Sequence, residues 1–334
     1  MKITKTIMKI ILIMIKKFSH NCENIISIEN ILEAWQEFSQ GKRNRPDVQE
    51  FSFNLMSNIF SLHYDLVNHT YKHSQYQEFK INDPKPRTIH KATVRDRILH
   101  RAVYRILYSF FDKKFIADSY SCRNKKGTHK AIERFREFTN KVSKNNTKQC
   151  YILKCDIKKF FASVDQNILF KILEKYIDDK DTINLLKEIV YSFKLGGLPL
   201  GNLTSQLFAN IYLNEFDQYI KHRLKVKHYI RYCDDFVIFS PNKYYLENLI
   251  PVIKDFLQNN LKLTLHPDKV SIKTIYSGVD YLGWINFKDH RILRSKTKIR
   301  MLNRIREGPK LETINSYLGL LKWGNTHKIK LNLF

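Results

Sequence analysis

Acidic residues are scarce in this chain. Only 32 Asp and Glu stand against 58 Lys and Arg in 334 residues, a net charge of +26. The basic excess is spread along the chain instead of sitting in one tail, so a polyanion is the natural partner. Cysteine is also sparse: Cys22, Cys122, Cys150, Cys155 and Cys233 cannot all pair, and they show neither a CxxC spacing nor a His at ligand spacing. A disulfide scaffold and a zinc site are therefore not expected, and the thiols read as reduced. With ten glycines and eight prolines the chain has no low-complexity linker, and it has no long internal repeat. Subdomains packed on one another are expected, in a chain long enough for a substantial core. Long hydrophobic runs are missing as well. Met1 to Lys17 imitates the front of a signal peptide, but its apolar run Ile10 to Ile15 is short, Lys9 interrupts it, and no small-residue cleavage site follows. It reads as an N-terminal helix, with no membrane partner and a cytoplasmic location expected.

What the chain does have is aromatic residues, 13% of the total, interleaved with the basic ones. Ring faces among cations suit nucleic acid better than a membrane surface. The densest signal is Tyr229 to Ser240, Tyr-Ile-Arg-Tyr-Cys-Asp-Asp-Phe-Val-Ile-Phe-Ser. Two β-prone runs flank adjacent aspartates, which predicts a hairpin with its acids at the turn. A further acid, Asp156, ends the apolar run Tyr151 to Cys155. If the two strands pair, Asp156 and Asp234 face each other across the sheet. Neighbouring carboxylates repel, and a site of this kind takes hard divalent ions that clamp the oxygens of a phosphoryl transfer.

Elsewhere, helical periodicity from Ile31 to Tyr71 predicts two helices around the basic turn Gly41 to Pro46. Asp83-Pro84-Lys85-Pro86-Arg87 must be extended, and Thr88-Ile89-His90 continues it as a strand. Val94, Ile98, Ala102, Ile106 and Phe110 predict one apolar helix face, leaving Arg95, Arg97, Arg101 and Arg105 to solvent or to phosphate. Arg123 to Gly127 is a basic loop capped by Thr128, whose helix runs to Phe138. Asn167 to Phe193 reads as a helix pair. In Leu200-Gly201-Asn202-Leu203-Thr204-Ser205-Gln206, Gly201 permits close backbone approach and Thr204 or Ser205 can cap the following helix. Leu263 to Ile292 reads as short strands and the tail from Ser295 as basic helix.

These residues together resemble a reverse transcriptase over roughly Ile31 to Thr326. Tyr232-Cys233-Asp234-Asp235 matches the family's F/Y-x-D-D box, and Asp156 to Asp165 matches its upstream acidic box. The similarity is greatest to the enzymes of diversity-generating retroelements, related to those of group II introns and retrons. That subgroup carries an aliphatic residue and a glutamine, here Leu200 and Gln206, in the box written elsewhere as Q-G-x-x-x-S-P.

The resemblance implies an α+β right-hand polymerase. Residues 1–29 form an N-terminal segment, 30–149 mainly fingers, 150–285 a palm of antiparallel sheet on helices with interleaved fingers elements, and 286–334 a short basic helical thumb. It implies RNA-directed DNA synthesis, error-prone at template adenines as in that subgroup, with two Mg2+ ions held by Asp156, Asp234, Asp235 and the carbonyl of Ile157. By the same resemblance Lys85 and Arg87 touch the triphosphate, Phe161 rejects a ribose 2′-hydroxyl, and Lys269 protonates pyrophosphate. Leu200, Gly201 and Gln206 line the nucleotide site, and Tyr281-Leu282-Gly283-Trp284 grips the primer. The implied partners are template RNA, a cDNA or DNA primer, dNTPs and a small basic accessory protein. Two alternatives stand beside diversification: an antiphage-defence or retron-like enzyme, and a non-catalytic nucleic-acid-binding protein.

Overall fold

The computed structural model describes residues 17–82 and 86–331. The N-terminal helix expected before Lys17 and the extended stretch at Lys85 thus lie outside the described residues. The chain divides into two compact units, one comprising the chain to Ile116 with Lys159–Asp217 and Asn259–Leu263, the other Ala117–Lys158, Gln218–Gln258 and the chain from Thr264. Among the described residues no helix is long and apolar enough to cross a membrane.

In the first unit the helix Ile28–Ser39, capped by the Ser27 side chain, packs on Val94–Phe111, capped by Thr93. Ile31 to Tyr71 holds three helices, Ile28–Ser39, Pro46–Phe53 and Leu55–Val67, where periodicity predicted two. The extra break is at Asn54, whose φ of −113° and ψ of 41° leave the helical region without changing the apolar spacing. The buried face of Val94–Phe111 also differs from expectation: it runs through Ile98, Ala102, Val103, Leu107 and Phe111, while Ile106 and Phe110 are half-buried. Steps of four residues overshoot a turn by about 40° each, so a strict i+4 series drifts off the face. Its arginines are not simply solvated. Arg95 pairs with Asp65, Arg97 with Asp47, and Arg105 with Glu33 and Glu37. Strands β1 (Gln77–Ile81) and β2 (Arg87–Lys91) form an antiparallel ribbon that contains the expected Thr88 to His90 strand. The helix pair is Gln166–Glu174 and Lys180–Tyr191.

The second unit is built on an antiparallel sheet of β3 (Tyr151–Asp156), β4 (Tyr229–Tyr232), β5 (Asp235–Ser240) and β6 (Ser271–Thr274), in the order β4-β5-β3-β6. Alternation puts Ile152, Ile230, Val237 and Phe239 against Ala131, Phe135 and Phe138 of the helix Thr128–Val142. That helix is longer than predicted, and Thr128 does not cap it. Gly127 occupies the cap position at φ 115°, and the Thr128 hydroxyl donates to Tyr232 Oη at 3.1 Å. A second sheet, β7 (Val279–Tyr281), β8 (Trp284–Asn286) and β9 (Arg291–Leu293), precedes the helices Ser295–Arg306, Leu311–Leu321 and His327–Leu331, in keeping with the expected basic helical tail.

Candidate active site

The acids collect at one end of β3 and β5 because antiparallel register leaves no other place for them. Asp156, the last residue of β3, is paired with Asp235, the first of β5. The expectation that Asp234 faces Asp156 is therefore corrected by one residue. Asp234 lies in the two-residue turn with Cys233, which takes φ 56°, and its carbonyl accepts from Ile157 N at 3.1 Å. Residues opposed in an antiparallel pair share a sheet face, as do residues two apart, so Lys154, Asp156 and Asp235 point the same way.

The electrostatics follow from that crowding. Burial raises the pKa of Asp234, with the charge of Asp156 next in importance. Burial pushes Asp235 up to about 7; Lys154, 3.7 Å away, opposes this, and the neighbouring carboxylates add to it. Asp235 Oδ1 is buried without a hydrogen-bond partner among the described residues. Lys269 sits in a single 3-10 turn, Pro267–Lys269, where its Nζ lies 2.9 Å from Asp156 Oδ1. That turn is tied down by His266 N donating to Asp156 O at 2.8 Å. Sequence reading thus found Asp156, Ile157, Asp234, Asp235 and Lys269, and the fold brings all five together.

It missed two supports. Lys154 bonds the Asp280 carbonyl at 2.7 Å as well as facing Asp235. Arg231, with no exposed surface, donates through Nη1 to the Cys233 carbonyl at 3.2 Å and so braces the acidic turn. The available signal was a cation inside each apolar strand run, Lys154 two positions before Asp156 and Arg231 three before Asp234.

Tyr281 and Trp284 are buried and paired across the β7–β8 hairpin, whose turn residues Leu282 and Gly283 take φ 51° and 87°. Gly324 packs so closely on the Trp284 ring that a Cβ there would approach it to 2.1 Å.

The remaining candidates belong to the first unit. Arg87 opens β2, exposed. Phe161 is half-buried in the short helix Phe160–Ser163, and its carbonyl accepts from Leu198 N at 2.7 Å. Leu200 O accepts from His90 N at 2.9 Å. Gly201, at φ 108°, lies so close to Ile89 that a Cβ would stand 2.7 Å from its Cγ2, the close approach expected of this glycine. Gln206 is half-buried in the helix Leu203–Gln218. Thr204 and Ser205 are inside that helix and do not cap it, since its first residue is Leu203.

Comparison with known proteins bears on this arrangement directly. The family profile described as reverse transcriptase (RNA-dependent DNA polymerase) matches residues 72–286. The chain is 26% identical over 246 residues to Protein YkfC of Escherichia coli K12, covering 61% of this chain and 62% of that protein. It is 24% identical over 314 residues to the group II intron-encoded protein LtrA of Lactococcus lactis, covering 72% of this chain and 50% of LtrA. The retron Ec73 reverse transcriptase of Escherichia coli is 28% identical over 149 residues, 40% of this chain and 45% of that enzyme. The chain thus spans less than two thirds of each of these relatives. Among solved structures, telomerase from Candida albicans in complex with a fragment of telomeric RNA superposes with a TM-score of 0.51 at 14% identity, over 75% of this chain and 53% of that one. The fold is the α+β right-hand polymerase fold, and the chain belongs to the reverse transcriptase family.

Proposed function

We propose that this chain makes DNA on an RNA template by in-line nucleotidyl transfer at the carboxylate cluster. The observation that carries the reading is the meeting of Asp156, Asp234, Asp235 and Lys269 at one end of a four-stranded sheet. Hard divalent cations fit these donors. Asp156 and Asp234 would serve as oxygen ligands whose mutual repulsion a cation relieves, beside Asp235, whose Oδ1 has no partner among the described residues. Mg2+ characteristically takes one or two carboxylates and leaves its other positions to water and substrate phosphates. In this reading Asp156, Asp234 and the Ile157 carbonyl hold two such ions, with Asp235 in support. When bound, they lower the cost of the charge that develops on the attacking and leaving oxygens.

The chain's own side chains do the rest. Lys85 and Arg87 offset the triphosphate charge, Phe161 fills the space of a 2′-hydroxyl, and Lys269 Nζ donates a proton to departing pyrophosphate. Tyr281, Leu282, Gly283 and Trp284 hold the primer end. Residues 30–149 serve mainly as fingers, 150–285 as palm and 286–334 as thumb, with a cytoplasmic location.

Leu200 and Gln206 support the narrower reading, an error-prone enzyme of a diversity-generating retroelement assisted by a small basic protein. An apolar Leu200 supplies packing without a hydrogen bond, so discrimination between bases loosens. The test is primer extension on a defined RNA with Mg2+, followed by sequencing of the cDNA from wild type and Leu200→Gln. Errors concentrated at template adenines, reduced several-fold in the variant, are expected, since one hydrogen bond contributes about 0.5–1.5 kcal/mol. Uniformly low error would favour the retron-like or antiphage-defence reading; the similarity to the retron Ec73 enzyme is compatible with the first of these.

A further inference from the structure

The basic turn after Ser39 and the arginines of Val94–Phe111 meet at a cavity that shares only Gly201 with the residues assigned a role above. Within the first unit a cavity of about 270 Å3 is lined by Lys42, Arg45, Lys91, Arg97 and Arg101 and by no acidic residue. Asp47, outside that lining, takes both Lys91, at 2.8 Å, and Arg97. The other three are poorly compensated. Arg101 reaches Glu37 at 3.5 Å, a carboxylate that Arg105 also engages, and its Nε is buried with no partner among the described residues. Lys42 gives its ammonium to the Phe38 carbonyl at 2.6 Å, and Arg45 pairs with no carboxylate among the described residues.

The cations crowd one another. Burial and then the charges of Arg101, Arg45 and Arg97 lower the pKa of Lys42, and Lys42 and Arg97 both lie over the Phe38 ring, at 4.5 Å and 5.0 Å. Like charges brought together in a partly desolvated pocket cost free energy that an anion would recover. The same cavity is lined by Asn202, 2% exposed, whose Oδ1 has no partner among the described residues while its Nδ2 donates to His90 O at 2.9 Å. It is also lined by Leu203, the first residue of a sixteen-residue helix, where the backbone dipole is positive. The volume is just below the roughly 300 Å3 at which sites for drug-sized ligands begin, which suits a phosphate with its sugar.

We propose that this pocket holds one backbone phosphate of single-stranded RNA, with Lys42, Arg45 and Arg101 on the phosphate oxygens and Asn202 Oδ1 accepting from the adjoining ribose hydroxyl. The inference rests on the nucleic-acid reading above but not on catalysis, because it is read from binding alone. Lys42→Gln/Arg45→Gln changes one half-buried and one exposed position, and a control pair of equal charge, Lys171→Gln/Lys180→Gln, lies on the exposed surface of the helix pair; thermal melts of both variants check that they fold.

Affinity for a twelve-nucleotide RNA and for DNA of the same sequence is measured against salt for all three proteins without primer or dNTPs. The pocket variant should lose about tenfold in RNA affinity, flatten the log affinity against log salt slope by about 0.7, the value for one single-strand phosphate, and lose the wild-type preference for RNA over DNA. The control pair should change affinity less than about twofold. Equal losses in both variants would reduce the effect to long-range charge and overturn the site. So would an RNA preference that survives in the pocket variant, or thermal stabilisation of wild type by inorganic phosphate with RNA affinity unaffected in the pocket variant. Failure of primer extension alongside the expected binding changes would count against the polymerase reading and leave the site standing.

Discussion

Asp156 and Asp235 stand opposite each other on adjacent antiparallel strands, and Lys154 Nζ lies 3.7 Å from Asp235 on the same face. This pairing puts negative charge at one sheet end faster than the protein's own cations neutralise it. Asp156→Asn or Asp234→Asn should therefore cut DNA synthesis to below about a hundredth of wild type, a loss of several kcal/mol of transition-state stabilisation. The folded state should survive, because removing one of two repelling carboxylates relieves strain. Steady-state extension rates with thermal melts of each variant check both parts; a variant that stays active would remove these acids from the chemistry.

Phe161 is fixed through its backbone, by Leu198 N at 2.7 Å, while its ring stays half-buried. A large half-exposed ring held on a rigid turn is suited to excluding a substituent. Phe161→Ala should admit rNTPs at least tenfold better relative to dNTPs, read as the ratio of kcat/KM values. An unchanged ratio would make Phe161 a packing residue.

Gly197 controls the same turn. At φ 70°, a Cβ on it would come 2.4 Å from Phe161 O and 2.8 Å from the Ala162 backbone, atoms that cannot swing aside. Gly197→Ala should cost about 1–3 kcal/mol of stability, from the positive φ and the backbone clash together. Chemical denaturation measures the loss, and Gly283→Ala, where nothing lies within 4 Å of the new Cβ, should cost less.

His100 supplies a pH dependence. Its ring is buried, 3.1 Å from His73 Nε2, and burial followed by the charge of His73 lowers its pKa to about 3. His73 Nδ1 donates to Ser74 O at 2.6 Å, so a neutral pair has His100 Nε2 donating to His73 Nε2. Because the folded pKa lies below the unfolded one near 6.5, the unfolded chain binds the extra proton first. Stability is intact above about pH 6.5 and falls as pH drops towards 3, at up to about 1.4 kcal/mol per pH unit for this one group. Unfolding free energies of wild type and His100→Gln between pH 7 and 4 should converge as pH falls. Parallel curves would assign the acid sensitivity to other groups.

The amino-acid sequence by itself determined the strong basic excess, the acids at the ends of β-prone runs, and the turn at Leu200 to Gln206 that feeds a helix. These are local facts of charge, alternation and turn chemistry, written in consecutive residues. Tertiary structure decided what depends on residues far apart in the chain. Strand register made Asp235, not Asp234, the partner of Asp156, because a one-residue shift at a tight turn is invisible to composition. The fold neutralised Arg95, Arg97 and Arg105 with acids from helices 30 to 72 positions earlier, and left Lys42, Arg45 and Arg101 facing a cavity without an acid in its lining. A cation's role depends on which carboxylate folding brings within about 4 Å, and no local pattern records that distance.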